Sequence, residues 1–162
     1  MTMIIAAHLD DCILIAADKR AMTYDVETKI LHLAHDEVQK IKLWSRGAIA
    51  GTGETLFLNR IADYFIQFEV DGRPLKQMDV IYKEIEKRSL EGVPKKILIN
   101  NSLIFSMFDG LETLLYLIPI ELFFKEIEKN GQKIIQPEMY QIMSFSVDVT
   151  CLNIPPAMGS LQ

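Results

Sequence analysis

The first third of the chain alternates between short apolar runs and polar breaks, a pattern typical of paired strands. Residues 3–7 and 12–17 are rich in Ile and Ala, and a polar Asp-Asp turn separates them, so they predict a hairpin of buried strands. Residues 28–34 and 38–44 predict a second pair of strands across another polar turn. Residues 47–52 predict a further short strand that ends in a glycine turn.

Two amphipathic segments follow these strands. Apolar residues recur at helical spacing from Leu56 to Phe68, which predicts a helix with Glu54 near the positive end of its dipole. Pro74 stands where a first-turn proline belongs, and the apolar stripe after it predicts a second helix, which Gly92 ends.

The remaining pattern returns to strands. Residues 96–108 and 113–120 predict two strands around an Asp-Gly turn, whereas residues 121–128 fit a short helix and a strand equally well. Strands, then helices, then strands predict an α+β fold or a layered sandwich rather than an alternating parallel sheet. The length predicts one domain over residues 1–162.

Composition narrows the functional classes. The 17 Lys+Arg against 22 Asp+Glu give a net charge of −5, which argues against a nucleic-acid partner. Two cysteines without a CxxC motif fit a reducing compartment, and the start of the chain lacks a basic signal-peptide region, so we expect a cytoplasmic protein. Residues 103–124 are long and apolar enough to test as a membrane span. Asp109 and Glu112 near their centre are costly in hydrocarbon, so two strands are favoured and no membrane partner is expected.

Two candidate ligand sites are weak. The segment Gly51-Thr52-Gly53-Glu54 follows a strand and opens a helix, as a phosphate cradle does, but it lacks the lysine and the third small residue of the phosphate-binding motifs. A tight strand-to-helix turn whose backbone amides point outward is favoured, and such amides are able to stabilise an oxyanion. A small phosphate-binding module stays an alternative.

The second weak candidate is the pair His32 and His35, with Asp36 beside it. These residues fit a solvated hairpin better than a metal site, because no other ligand cluster accompanies them. We therefore expect neither a metal nor a cofactor.

The strongest chemical signal lies at the start of the chain. Thr2 is small enough to permit removal of Met1, which would leave a free N-terminal threonine. Such a residue carries nucleophile and base together, because its hydroxyl attacks and its α-amine, with an ordinary pKa of about 7.7–8.0, accepts the proton. A Met-Thr start is common, so the interpretation of Thr2 as a nucleophile needs support from elsewhere in the chain.

That support comes from three motifs: Ile13-Leu14-Ile15-Ala16-Ala17-Asp18-Lys19-Arg20-Ala21, Lys40-Ile41, and Ala48-Ile49-Ala50-Gly51-Thr52-Gly53 before the first helix. Together with Thr2 they resemble the proteasome β-type N-terminal nucleophile (Ntn) hydrolases. Within these they are most similar to the bacterial HslV-type peptidases. The resemblance covers residues 2–70, and residues 95–120 more loosely.

The resemblance implies an αββα sandwich of two antiparallel sheets and a threonine endopeptidase that works through an acyl-enzyme ester. It implies Thr2 as the nucleophile, Asp18 as the acid that supports a catalytic lysine, and Lys40 as that lysine. It also implies that the backbone amide of Gly51 or Gly53 forms the oxyanion hole.

Two departures from the family pattern remain. Because the interval from Asp18 to Lys40 is long, an enlarged hairpin is expected over residues 23–39, and Lys19, Lys29 and Lys42 stay as alternatives to Lys40. The segment Ala157-Met158-Gly159-Ser160 resembles the family's Ala-x-Gly-Ser-Gly, which implies that Ser160 lies beside the nucleophile. Only Leu161-Gln162 follow it, so a C-terminally short member is expected.

The resemblance also implies partners. It implies a peptide or unfolded-protein substrate, a homo-oligomeric ring and an ATP-dependent unfoldase. The helix that bears Phe57, Phe65 and Phe68 is the candidate contact surface for self-association, and core packing of the same aromatic stripe is the alternative. A non-catalytic ring subunit of the same fold is the alternative function.

Overall fold

The computed structural model describes residues 3–9, 12–25, 27–70, 77–142 and 150–152. The strands are β1 Ile4–Leu9, β2 Cys12–Ala17, β3 Ala21–Tyr24, β4 Leu31–His35, β5 Ile41–Trp44, β6 Gly47–Thr52, β7 Ser102–Phe108, β8 Thr113–Pro119, β9 Glu126–Lys129, β10 Gln132–Ile135, β11 Tyr140–Gln141 and β12 Thr150–Leu152. The helices are α1 Thr55–Val70, α2 Gln77–Leu90, α3 Lys95–Ile99 and a 3₁₀ helix Ile120–Phe124.

The centre of the molecule is a five-stranded antiparallel sheet in the order β11-β8-β7-β6-β5. Helices α1 and α2 pack on one of its faces through a core that includes Phe57, Phe65, Ile81 and Phe105. Trp44 stacks on Phe105 with ring centroids 5.3 Å apart, and this closes the core beside the edge strand β5.

A three-stranded antiparallel sheet in the order β12-β1-β2 covers the opposite face. Ile4 and Ala6 of β1 pack there against Ala50, Ile104 and Leu115 of the larger sheet. Period-2 alternation explains this layer, since alternate residues of β1 face one way. The predicted α+β class with antiparallel sheets in layers is confirmed.

The outer face of the three-stranded sheet is also apolar. The register of β1 and β2 sets Ile5 against Ala16 and Leu9 against Cys12. Leu9 is 51% exposed, and Leu14 on the same face is 55% exposed. A sheet face of this composition is typical of a surface that another layer covers.

The aromatic stripe of α1 is core rather than surface. Phe57 and Phe65 are fully buried between α1 and the five-stranded sheet, and the side chain of Phe68 lies outside the described residues. The prediction that these phenylalanines form a self-association contact is therefore wrong for Phe57 and Phe65.

The predicted pairing of residues 28–34 with 38–44 is wrong. Strand β4 pairs with β3, and β5 pairs with β6. The reason lies in burial: Ile41 of β5 packs against the core between the two sheets, so β5 joins the large sheet. In contrast, β4 lies in an exposed hairpin in which Leu33 is 51% exposed.

The segment around residues 96–128 follows its prediction in part. Residues 96–99, expected as strand, belong to helix α3, because the amides of Ile97 and Leu98 bond to the carbonyl of Pro94 and Leu98 fills the core. Strands β7 and β8 form the expected hairpin around Gly110. Residues 121–128 combine both alternatives, a 3₁₀ turn followed by β9. None of the helices that the structure describes is long and apolar enough to cross a membrane.

Candidate functional site

Asp18 follows the last residue of β2 and joins three parts of the chain. Its Oδ2 accepts a hydrogen bond from Lys40 Nζ at 2.8 Å, and its Oδ1 accepts one from the backbone N–H of Met3 at 2.6 Å. The Asp18 N–H in turn donates to the Met3 carbonyl at 3.1 Å. The carboxylate is therefore fixed beside the residue that follows Thr2 in the chain.

Lys40 is the more deeply buried partner of this pair. Its side chain is 9% exposed against 28% for Asp18, and its Nζ also donates to the Arg20 carbonyl at 2.6 Å. A buried ammonium needs such partners, because removing a charge from water is costly. These contacts give Lys40 a defined position at the base of β5.

The β3–β4 hairpin accounts for the long interval between Asp18 and Lys40. Its two strands pair from Ala21 with His35 to Tyr24 with Leu31, and the amide of Val38 then bonds to the Lys19 carbonyl at 2.9 Å. This return brings Lys40 back to the start of the hairpin. Of the four lysines considered from the sequence, Lys40 is the one that bonds to Asp18 among the residues described.

The pKa of Asp18 reflects two opposing effects. Burial raises it, but hydrogen bonds from Lys40 and the Met3 amide, together with the positive charge of Lys40, outweigh burial and hold the pKa below its ordinary value of 3.8. Asp18 is thus a carboxylate at neutral pH, and Lys40 has a permanent counterion.

This lowered pKa predicts how stability depends on pH. Stabilisation from a carboxylate of lowered pKa is fully present above the unfolded value, about pH 4, and is lost as the pH falls through the folded value. We expect Asp18→Asn to lower the free energy of unfolding by an amount that is constant above about pH 4 and shrinks below it. Urea unfolding at pH 7, 5, 4 and 3 measures this difference.

The control for this experiment is Asp63→Asn, which makes the same change on the exposed side of α1. We expect little change in unfolding free energy for this variant at any pH. An Asp18→Asn difference that persists undiminished at pH 3 would contradict the assigned role of the carboxylate.

The glycine turn, Gly51–Gly53, lies at the same pocket as Lys40. The pocket has a volume of about 280 Å³, and its lining includes Lys40, Gly51, Gly53 and Thr55. Both glycines are required by close approach: a Cβ on Gly51 would lie 2.5 Å from Leu58 Cδ2 and 2.9 Å from the Ser102 carbonyl oxygen. Gly53 also has φ +126°, which strongly favours glycine.

The side chain of Glu54 caps the N-terminus of α1. Its carboxylate oxygens accept hydrogen bonds from the amides of Leu56 at 3.2 Å and Phe57 at 3.1 Å, and Arg88 binds it at 3.0 Å. A phosphate would have to compete with this carboxylate for the same amides. The geometry therefore argues against the phosphate-binding alternative.

Substitution of Gly53 tests how tightly the turn is built. We expect Gly53→Ala to lower the unfolding free energy by about 2–4 kcal/mol, since it combines a strained φ with a Cβ that would lie 2.1 Å from Asn101 Oδ1. Gly110→Ala is the matched control, because Gly110 has φ +105° with nothing within 4 Å of the added Cβ. We expect about 1 kcal/mol there, and equal losses would contradict a close contact at Gly53.

Two predicted site residues, Thr2 and Ser160, lie outside the described residues. The pair His32 and His35 lies on the exposed strand β4. The described part of the chain contains no group of three or more His, Cys, Asp or Glu side chains that is placed to hold a metal ion.

Comparison with solved structures shows a protein of similar fold. The chain is similar to a Gly-1 mutant of Anbu from Hyphomicrobium sp. strain MC1, with a TM-score of 0.53 and 19% identity over 88% of this chain and 60% of that one. The chain has a proteasome-like Ntn fold. A second Anbu structure from the same strain has a TM-score of 0.44 and 17% identity, over 87% of this chain and 60% of that one. No family model and no curated protein matches the chain.

The expected resemblance to HslV-type peptidases is wrong, because the solved structure that the fold is similar to is an Anbu protein. The motifs that suggested HslV, the strand that leads to Asp18 and the glycine turn before α1, are short local patterns, and such patterns do not distinguish between proteins that share a fold. The chain spans 60% of the length of the Anbu chain that it matches.

Sequence reasoning missed three groups at this site. The Met3 amide and the Arg20 carbonyl are backbone atoms, which carry no signal in the sequence. Asn101 accepts a hydrogen bond from the Glu54 amide at 2.7 Å, and its place just before β7 became informative only when β6 and β7 were seen to pair.

Proposed function

We propose that this chain is a proteasome-like threonine peptidase that hydrolyses peptide bonds through Thr2 after removal of Met1. The observation that carries the proposal is the partly buried Lys40–Asp18 ion pair, whose carboxylate also binds the amide of Met3. Because Met3 follows Thr2 in the chain, the carboxylate binds the residue next to the proposed nucleophile.

The proposed reaction has two stages. The Thr2 hydroxyl oxygen attacks the substrate carbonyl carbon, and the α-amine of Thr2 accepts the hydroxyl proton. The tetrahedral intermediate collapses to an ester as the amine product leaves with a proton. Water, activated by the same α-amine, then hydrolyses the ester and regenerates the free hydroxyl.

Lys40 and Asp18 support this chemistry by charge. A cationic Lys40 near the α-amine of Thr2 disfavours its protonated form and so keeps it available as a base. Asp18 holds Lys40 in place and offsets the cost of burying it. In this proposal the backbone amides of the Gly51–Gly53 turn stabilise the oxyanion, since the turn lies at the same pocket as Lys40.

The proposed substrate is an unfolded polypeptide, which an ATP-dependent unfoldase would deliver. The pocket combines the apolar side chains of Met22, Val38 and Leu58 with the amide side chains of Gln39 and Asn59. A volume of about 280 Å³ suits a single side chain of a bound peptide.

The test of the proposal combines mass spectrometry with labelling. The intact mass should show loss of Met1, and a peptide epoxyketone, which reacts with a hydroxyl and an amine on one residue, should form a single adduct on Thr2. Retention of Met1, or absence of both adduct and peptide hydrolysis, would contradict the proposal and favour a non-catalytic ring subunit.

We also expect the protein to self-associate into a homo-oligomeric ring, as a proteasome-like function implies. The half-exposed Leu9 and Leu14 lie on an apolar sheet face, and such faces mark interfaces more often than free surface. Light scattering at high micromolar concentration measures the assembly. A monodisperse species at the chain mass of 18.5 kDa would contradict this expectation.

A further inference from the structure

Asn101 lies behind the glycine turn and is almost completely buried, with 1% of its surface exposed. Its Oδ1 accepts a hydrogen bond from the Glu54 N–H at 2.7 Å. Its Nδ2 donates to the carbonyls of Ile97 and Leu98, each at 2.9 Å. The side chain therefore links the turn to the C-terminal end of α3.

These contacts specify an amide side chain. One end must accept a hydrogen bond from a backbone N–H, and the other must donate to the Ile97 and Leu98 carbonyls at the C-terminal end of α3. A carboxylate at residue 101 would have the same shape but would set an anionic oxygen against both carbonyls. Its cost follows from this repulsion and from the loss of the side-chain donor to each carbonyl.

The backbone of Asn101 is fixed as well. Its N–H donates to the Leu98 carbonyl at 3.1 Å, and its carbonyl accepts from the Ile120 N–H at 3.0 Å. The residue is thus held by α3 and by the 3₁₀ helix after β8. It gives the glycine turn a rigid support on the side away from the pocket.

Contact between this support and the turn is close. An ideal Cβ on Gly53 would lie 2.1 Å from Asn101 Oδ1 and 3.0 Å from Asn101 Cα. The peptide between Gly53 and Glu54 is therefore held against Asn101 by a hydrogen bond and by close packing. Gly53 itself lines the pocket with Lys40.

We propose that Asn101 is a positioning residue that holds the Gly51–Gly53 turn in the orientation its backbone amides need to stabilise the oxyanion. This inference rests on the proposed peptidase function. An oxyanion hole is effective when its donors are fixed before the reaction, because no reorganisation is then needed as charge develops. Asn101 touches neither substrate nor nucleophile and acts through the turn.

The test is Asn101→Asp, with Asn100→Asp as the matched control. Asn100 is the adjacent residue and is exposed at the end of α3, so the control adds the same charge without disturbing the turn. We expect Asn101→Asp to lower kcat for a fluorogenic peptide by about 10–100-fold with KM within about twofold, since the oxyanion forms only after substrate is bound. We expect the Glu54 amide to exchange hydrogen at least about 10-fold faster. Asn100→Asp should match the unsubstituted protein in kcat, in KM and in the exchange rate of the Glu54 amide.

Asn101→Ala is a second variant for the case in which Asn101→Asp does not fold, as judged by the absence of a cooperative unfolding transition. It removes the acceptor of the Glu54 amide without adding charge, and we expect the same fall in kcat and the same faster exchange. Unchanged kcat in the folded variants, or a fall in kcat without faster exchange at Glu54, would overturn the inference and leave the peptidase proposal intact. Failure of the peptidase proposal is recognised separately, because the unsubstituted protein would then neither hydrolyse peptide nor form the Thr2 adduct, and the inference would fall with it.

Discussion

Thr2→Ala should abolish peptide hydrolysis while leaving the fold unchanged. The substitution removes the proposed nucleophilic hydroxyl, and loss of a nucleophile lowers kcat by about 10⁶-fold in hydrolases of known mechanism. The α-amine and the Asp18–Lys40 pair would remain in place, so binding of substrate should change little. Hydrolysis of a fluorogenic peptide measures the loss, and urea unfolding confirms that stability is retained.

Two variants sharpen this experiment. Thr2→Ser keeps a hydroxyl on an N-terminal residue and should retain measurable activity, whereas Thr23→Ala makes the same truncation on the exposed face of β3 and should have none of the effect. Activity of Thr2→Ala equal to that of the unsubstituted protein would rule out Thr2 as the nucleophile.

Lys40→Met should lower both activity and stability. We expect kcat to fall by about 10³-fold, since the variant removes the positive charge that is proposed to act on the α-amine of Thr2. Removal of one partner from a buried ion pair costs about 3–5 kcal/mol, but Asp18 is 28% exposed and water will solvate part of its charge. We therefore expect a loss of about 1–3 kcal/mol in unfolding free energy.

Part of the stability lost in Lys40→Met should be recovered when the unpaired carboxylate of Asp18 is also removed. In the double variant Lys40→Met with Asp18→Asn no uncompensated carboxylate remains, so the stability losses should be less than additive while activity stays low. Lys19→Met, the same change at an exposed lysine, serves as the control. Additive losses in the double variant would show that the 2.8 Å contact between Lys40 and Asp18 contributes no coupling.

The local sequence pattern was sufficient to predict those helices and hairpins that depend mainly on their own residues. The hairpin of β1 and β2, the two amphipathic helices and the Asp-Gly hairpin of β7 and β8 follow from periodicity and turn chemistry that the tertiary structure preserves. Glycines 51 and 53 were also identified from sequence. The reason they must be glycine, contact with Leu58 and with Asn101, emerged only when separate elements were packed together.

Prediction failed where two locally acceptable arrangements compete. Strand β5 had possible partners on both sides along the chain, and burial of Ile41 between the sheets selected β6. Residues 96–99 have apolar side chains compatible with a strand, and bonds to the Pro94 carbonyl with burial of Leu98 selected a helix. In each case a long-range contact outweighed a weak local preference.

The layered α+β class, the order of most elements and the candidacy of Asp18, Lys40 and the glycines could be predicted from the amino-acid sequence, because these depend on local spacing and residue chemistry. The folded structure was needed to find that Asp18 binds Lys40 and the Met3 amide at once, and that Asn101 bonds to the amide that follows the glycine turn. It was also needed to find the similarity to an Anbu structure. These features join residues far apart in the chain, and only folding brings their atoms within hydrogen-bond distance.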